Sequence, residues 1–249
     1  MTTDYNAGQT ARQYKKAKEQ PWRLRVETYS FMKLIGDLQG KQVVDLACGE
    51  GHFTRRLRQA GAANVVGEDI SERMIALARA QEAEEPLGIE YRVEDARTLT
   101  PQQDFDLAVS AWLLVYARDR AELASMCQGL GRRLRPGGRF VTFTSNPDVY
   151  SFQPPPDYRK YGFDMRLAER VYEGAPIIWK ILLDDAPLEI ENYYLPISAY
   201  ESAFRDAGFR DFAVHGLELA PDAEAGDDRA FWADMLNYPP AIMMECVKQ

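Results

Sequence analysis

The stretch Val43-Val44-Asp45-Leu46-Ala47-Cys48-Gly49-Glu50-Gly51, followed by the helix-patterned run Phe53 to Ala60, decides the fold of this chain. A short apolar run that ends on an acid, turns through two glycines and enters a helix opens a strand–turn–helix unit. Gly49 and Gly51 permit positive φ and close approach of a ligand to the backbone. Gly61 suits the C-terminal cap of that helix. Outward from there the alternation repeats. Val65 to Asp69 reads as a second strand, Ser71 as the N-cap of a helix reaching about Glu84, and Ile89 to Val93 as a third strand. Phe105 to Ala111 is a fourth, nearly all apolar as a strand covered on both faces must be. Asp119 and Glu122 form a capping-box pattern, and Leu123, Cys127, Leu130 and Leu134 then share one helix face. Pro136-Gly137-Gly138 predicts the turn that ends this helix, and Arg139 to Thr144 a fifth strand.

Such alternation predicts an α/β fold: a doubly wound, mostly parallel seven-stranded sheet with helices on both faces. Its last two strands, Asp211 to Leu219 and Ala241 to Val247, are expected as an antiparallel pair, preceded by a helix that Ser198 and Glu201 cap. Two flanking regions differ. Residues 1–40 read as an N-terminal helical cap that Pro21 breaks in two, with Tyr14, Trp22, Val26, Tyr29 and Leu34 on its buried side. Residues 146–197 hold seven of the 14 prolines and a dense set of aromatics. There Ile177 to Leu183 and Leu188 to Leu195 can pair as a hairpin. The expected division is the cap, a ligand-binding core at 41–145, an insertion at 146–197 over the carboxyl edge of the sheet, and the rest of the core at 198–249.

Composition narrows the function. The 249 residues are 46% hydrophobic and include 13 Tyr, 11 Phe and 4 Trp, enough for a substantial core and incompatible with general disorder. With 30 basic and 38 acidic side chains the net charge is −8, which disfavours a nucleic-acid partner. The longest apolar run, Ala111 to Ala117, is too short to span a bilayer, and the N-terminus has no apolar signal segment. Three widely spaced cysteines, Cys48, Cys127 and Cys246, form neither a disulfide framework nor a zinc pattern. The expectation is a cytoplasmic protein with no membrane association and no metal.

In open α/β sheets, ligands bind beyond the carboxyl ends of strands where strand order reverses. Asp69 ends the second strand twenty residues after Gly49, a spacing that lets a carboxylate accept from both ribose hydroxyls of an adenosine-bearing ligand. A dinucleotide would require Gly-x-Gly-x-x-Gly, but Thr54 occupies the third position and Glu50 sets an acid beside the diphosphate. Asp45 instead suits a ligand with an ammonium group.

Taken together, Asp45, Gly49, Gly51, Asp69, Asp95 and the Leu134-Arg-Pro-Gly-Gly turn resemble the class I S-adenosylmethionine-dependent methyltransferases, well over residues 41–145 and loosely in the C-terminal strands. The resemblance implies S-adenosylmethionine as cofactor and S-adenosylhomocysteine as product. It implies that Ala47, Cys48, Gly49 and Gly51 lie along the methionyl part of the cofactor, with Asp45 near its ammonium. Ala47 stands where many members have a glycine. Asp69 would hold the ribose, Ile70 would pack on one adenine face, Met74 would also contact the cofactor, and Asp95 would accept from the exocyclic amine with Ala96 beside it. Ser110 would line the gap between donor and acceptor, and Tyr14 would close over the cofactor. Trp112, Tyr116, Trp179 and Tyr194 are the candidate acceptor-facing aromatics. The Tyr5 and Tyr14 segment and the stretch from Gln81 to Gly88 are similar to the toxoflavin N-methyltransferase group. His52 is the sole candidate general base, although displacement on a sulfonium needs mainly alignment and exclusion of water; His215 reads as structural. The expected activity is methyl transfer to nitrogen or oxygen of a small aromatic or heteroaromatic metabolite in natural-product biosynthesis. A carboxylate O-methyltransferase, a nicotinamide-dependent oxidoreductase and a non-catalytic cofactor-binding protein are the alternatives.

Overall fold

The computed structural model describes residues 5–6, 8–99, 101, 104–184, 186–226 and 230–249. Helix α1 (Gly8–Ala17) leads through a π-helical segment, Arg23–Thr28, into α2 (Tyr29–Ile35). The break falls between α1 and the π-helical segment, and Pro21 opens the second piece, where its missing N–H leaves no hydrogen bond unmade. Trp22 and Val26 are fully buried; Tyr14, Tyr29 and Leu34 are half-buried.

The core follows as β1 (Gln42–Leu46), α3 (His52–Gln59), β2 (Asn64–Asp69), α4 (Glu72–Glu84), β3 (Glu90–Val93), β4 (Phe105–Ala111), α5 (Arg120–Gly131) and β5 (Leu134–Ser145). Beyond it lie β6 (Phe163–Leu167), β7 (Pro176–Ile181), β8 (Leu188–Tyr193), α6 (Ile197–Asp206), β9 (Phe209–His215), α7 (Pro221–Gly226), α8 (Ala233–Asn237) and β10 (Ala241–Lys248). Seven strands form one sheet in the order β3-β2-β1-β4-β5-β10-β9. Only β10 runs against its neighbours. This is the doubly wound, mostly parallel sheet that the alternation predicted. Consecutive residues face opposite sides. Val43, Val65, Leu107 and Val141 pack with α2 and the π-helical segment on one face. Val44, Val66, Ala108 and Phe140 pack with α5 and α6 on the other. Strand order reverses between β1 and β4, which opens a crevice at their carboxyl ends.

Local details depart from the sequence reading in five places. Leu134 does not continue the face of α5 but begins β5. Pro136-Gly137-Gly138 lies inside that strand as an irregularity, where the pairing jumps from Phe105–Leu134 to Leu107–Arg139. Asp119 caps α5 through the Glu122 amide at 2.8 Å, but the Glu122 carboxylate accepts from the Arg118 amide at 3.0 Å and from its guanidinium, so the reciprocal half of the box is missing. Helix α6 starts at Ile197 after Pro196 without a side-chain cap, so Ser198 falls inside its first turn. Strand β9 ends at His215 because Glu218 is bound elsewhere: its amide and carbonyl both hydrogen-bond the Ser30 hydroxyl, at 2.8 and 3.0 Å.

In the insertion, the expected hairpin is β7 and β8, and the sequence reading missed β6, which pairs with β7 to make a second, antiparallel sheet. This sheet is fastened to the carboxyl end of β5. The Trp179 indole donates to Ser145 Oγ at 3.1 Å, and Ser145 donates to Asn192 Oδ1 at 3.2 Å. In the main sheet's crevice, Gly129 of α5 lets the helix lie against the Ala96 carbonyl, where a Cβ would clash. No helix among the described residues is long and apolar enough to cross a membrane.

Candidate active site

The crevice holds a cleft of about 390 Å³, within the range of small-molecule sites. The loop after β1 forms its floor. Gly49 has φ +58° and points its N–H at Asp69 Oδ2, 2.9 Å away. Ser71 N–H donates to Asp69 Oδ1 at 2.8 Å. A carboxylate offers about four acceptor sites, so two remain, enough for a pair of vicinal hydroxyls. Burial raises the Asp69 pKa, and the two backbone hydrogen bonds oppose that shift. Ala47 has φ +58°, a left-handed conformation that costs a non-glycine residue about 1 kcal/mol.

Around this floor the wall contains Tyr14, Ala47, Gly49, Asp69, Ile70, Met74, Asp95, Ala96, Trp112 and Tyr116, ten of the sequence-predicted residues. Ile70 leaves 58% of its surface exposed, an apolar face presented to whatever fills the cleft. Asp95 is largely engaged by Arg97, through the backbone amide at 2.9 Å and Nη2 at 2.6 Å, and this pairing lowers its pKa. Tyr14 reaches over the loop: a Cβ built on Gly49 would lie 3.9 Å from its Cε1. Burial raises the Tyr14 and Tyr116 phenols well above their ordinary range, so both stay protonated at neutral pH. The Tyr116 hydroxyl pairs with that of Tyr5 at 2.6 Å.

Seven predicted residues lie elsewhere. Asp45 is buried behind the loop, where it accepts from Thr54 Oγ1 at 2.7 Å; burial pushes its carboxyl up to about 7. Cys48 is a buried thiol, and Gly51, with φ +92°, is the N-cap of α3. Ser110 is fully buried and shares a 2.9 Å hydrogen bond with Thr142, because strand alternation turns it between β4 and β5. Trp179 is one layer behind Trp112, with ring centroids 5.1 Å apart. Tyr194 packs edge-on against Tyr150 at 5.4 Å. His52 faces Thr28 at 3.3 Å, and burial together with Lys18 and Arg56 pushes it down to about 3, so near neutrality it is an uncharged imidazole of low basicity. His215 pairs with Glu245 at 2.8 Å.

Residues that the sequence reading did not single out complete the wall. Leu46, Leu99, Leu113 and Met126 make it apolar; Glu68, Glu94 and Glu122 make it acidic against Arg97 and Arg118. Leu113 follows Trp112 directly, and Glu94 precedes Asp95, so adjacency to the motif was the available signal. Behind the cleft, Trp112 has φ +68°, an outlier for a bulky residue. Two bonds hold it there: its amide to the Phe143 carbonyl at 2.9 Å and its indole to Glu27 Oε1 at 2.8 Å. Glu27 also accepts from Arg23 at 2.6 Å and lies 3.6 Å from Lys18. Burial works against its charge, but Arg23, Lys18 and the Trp112 bond prevail and hold it at about 2.

An acidic cleft with an exposed apolar side chain, a carboxylate with two free acceptor sites and a roof of tyrosines fits a nucleoside that carries positive charge. The comparisons agree. A family model described as a methyltransferase domain matches residues 43–138. The chain is 32% identical over 193 residues to the ubiquinone biosynthesis O-methyltransferase of Bordetella avium, covering 76% of this chain and 70% of that one. It is 27% identical over 183 residues to the N-demethylindolmycin N-methyltransferase of Streptomyces griseus, covering 72% and 73%. A solved S-adenosylmethionine-dependent methyltransferase from Mesorhizobium loti superposes with a TM-score of 0.62 at 25% identity, over 89% of this chain and 97% of that one. The chain belongs to the S-adenosylmethionine-dependent methyltransferases. Its cofactor is S-adenosylmethionine.

Two measurements check this geometry. Removing a charge-assisted acceptor costs about 1.5–3 kcal/mol, so Asp69→Ala should weaken S-adenosylhomocysteine binding roughly ten- to hundredfold in calorimetry while far-UV circular dichroism stays unchanged. The raised carboxyl of Asp45 has a thermodynamic sign. Between its unfolded value near 4 and about 7, the folded state binds the extra proton, so this group's contribution to stability falls as pH rises through that window. Asp45→Asn, which keeps an acceptor for Thr54, should therefore gain stability relative to the parent from pH 4 to pH 7, by up to roughly 4 kcal/mol, in urea melts of the cofactor-free protein.

Proposed function

We propose that this methyltransferase acts on a nitrogen or oxygen atom of a small aromatic or heteroaromatic metabolite, in natural-product biosynthesis of the toxoflavin type. The observation that carries this reading is the aromatic end of the cleft: Tyr5, Tyr14, Trp112 and Tyr116 meet there, beside the loop that would hold the cofactor's methionyl part. Aromatic faces suit a planar acceptor and a methyl group bearing partial positive charge. The two relatives named above support the same class, since one carries an indolmycin precursor in its name and the other a ubiquinone intermediate's pathway.

S-adenosylmethionine supplies a methyl group already activated on a sulfonium. The chain's own residues then have three tasks. Asp69, Ile70, Met74 and Ala96 hold the nucleoside, with the Gly49 loop and Tyr14 along its amino-acid tail. Trp112 and Tyr116 orient the acceptor plane. The N-terminal segment and residues 146–197 cover the crevice and exclude water, which is where alignment and desolvation contribute most. With His52 of low basicity and turned to Thr28, no general base is assigned, and the reading favours acceptors that are nucleophilic without help. The three buried free thiols, Cys48, Cys127 and Cys246, support a reducing, cytoplasmic setting.

The test is release of S-adenosylhomocysteine by the purified protein given S-adenosylmethionine and a panel of N-heterocycles, phenols, aliphatic amines and bulk tRNA. Turnover should be confined to ring acceptors, and Trp112→Leu should lower kcat/KM for them about tenfold, the scale of a lost aromatic–cation contact. Turnover on aliphatic amines or tRNA alone would overturn the reading.

A further inference from the structure

A second cavity, of about 10 Å³, lies behind the cleft and shares four wall residues with it: Tyr5, Tyr14, Trp112 and Tyr116. Its far side is made by Arg23, Trp179, Ile190 and Asn192. Two of these are buried donors with an atom left over. Arg23 is 3% exposed and donates Nη1 to Glu27, yet its Nε has no hydrogen-bond partner. Asn192 is 2% exposed, and its Nδ2 has none either. The direction of the Asn192 amide is set by the chain of bonds behind it. Trp179 Nε1 can only donate, so Ser145 Oγ accepts from it and passes its own hydrogen to Asn192 Oδ1. That leaves Nδ2 for the cavity.

Unpaired donors buried this deeply are rare, because each has given up its water without replacement. The cavity is at the lower limit for one water molecule. A water that accepted from Arg23 and Asn192 would bring two hydrogens of its own and would need the phenol oxygens of Tyr5, Tyr14 or Tyr116 to receive them, since Ile190 and the two indoles accept nothing. An oxygen that only accepts, as in a carbonyl, carboxylate or phenolate, matches both donors and leaves nothing unmet.

We infer that this cavity recognises the acceptor substrate, receiving a ring-borne oxygen between Arg23 Nε and Asn192 Nδ2. This rests on the small aromatic acceptor proposed above. An oxygen that reaches the cavity from the cleft passes between Tyr5, Tyr14, Trp112 and Tyr116, the wall residues that the two cavities share, which must part to admit its ring beside the cofactor end of the cleft. The substrate class narrows to planar rings that carry a hydrogen-bond-accepting oxygen near the methylated atom. Arg23 and Asn192 are then specificity-determining residues, one from the π-helical segment and one from β8 of the insertion.

A matched pair of probes tests this: 4-quinolone, which has a ring carbonyl, and quinoline, which lacks it. Binding to the protein saturated with S-adenosylhomocysteine is followed by quenching of tryptophan fluorescence, since Trp112 and Trp179 flank the cavity. The parent protein should prefer 4-quinolone by at least tenfold. Asn192→Leu should reduce that preference to about twofold while its S-adenosylhomocysteine affinity stays within twofold of the parent, and Asn192→Asp, which keeps the shape but replaces a donor by a carboxylate, should do the same. Arg23→Lys, which keeps a cation beside Glu27 but removes Nε, should also erase it. Equal binding of the two rings by the parent, or a preference that survives in Asn192→Leu and Arg23→Lys, overturns the inference and leaves the aromatic acceptor standing. Binding of neither ring to protein that does hold S-adenosylhomocysteine defeats the aromatic acceptor itself and this inference with it.

Discussion

The carboxylate of Asp69 ties the end of β2 to the loop after β1. One oxygen accepts from Gly49 and the other from Ser71, at 2.9 and 2.8 Å. Both bonds come from backbone groups, so they fix the course of the chain rather than the pose of a side chain. Gly49 can offer its N–H in that direction because a positive φ is available to it without strain. Ser71 is at the same time the N-cap of α4, accepting from the Met74 amide at 3.2 Å. One acid therefore sets the floor of the cleft and the start of the next helix, and it is the group proposed to meet the ribose.

A second set of constraints comes from the N-terminal side. The π-helical segment brings Arg23 and Glu27 into the interior together, and Glu27 reaches across to the indole of Trp112. π-Helical turns are uncommon and often found at functional sites. Trp112 is held at a backbone conformation that an unconstrained tryptophan avoids, and so is Ala47 on the floor of the cleft. Strain persists only where surrounding bonds over-determine it, and here both strained residues border the cleft. The N-terminal segment, the tip of β4 and the β6–β8 sheet thus form one connected structure around the aromatic end of the cleft.

The sequence revealed most of what is local. Strand and helix order over residues 41–145 and the caps at Ser71 and Asp119 follow from periodicity and turn residues, which act over a few positions. The cleft residues that were legible, such as Gly49, Asp69, Asp95 and Trp112, sit at strand ends next to recognisable turns. What was not legible depends on direction or on distance along the chain. Asp45 and Ser110 belong to the right strands, but alternation turns them to Thr54 and Thr142. Trp179 and Tyr194 belong to the insertion, where nothing in the aromatic spacing distinguishes a cleft wall from a second core. Arg23 and Asn192 come from opposite parts of the chain, and only folding brings their unpaired nitrogens to one cavity.

The most direct measurement is a crystal structure of the protein with S-adenosylhomocysteine. Both ribose hydroxyls should lie within hydrogen-bonding distance of the Asp69 carboxylate, the adenine against Ile70, and the homocysteine tail along Ala47 and Gly49 under Tyr14. A nucleoside bound away from Asp69, or one whose sulfur faces away from Trp112 and Tyr116, would contradict this placement.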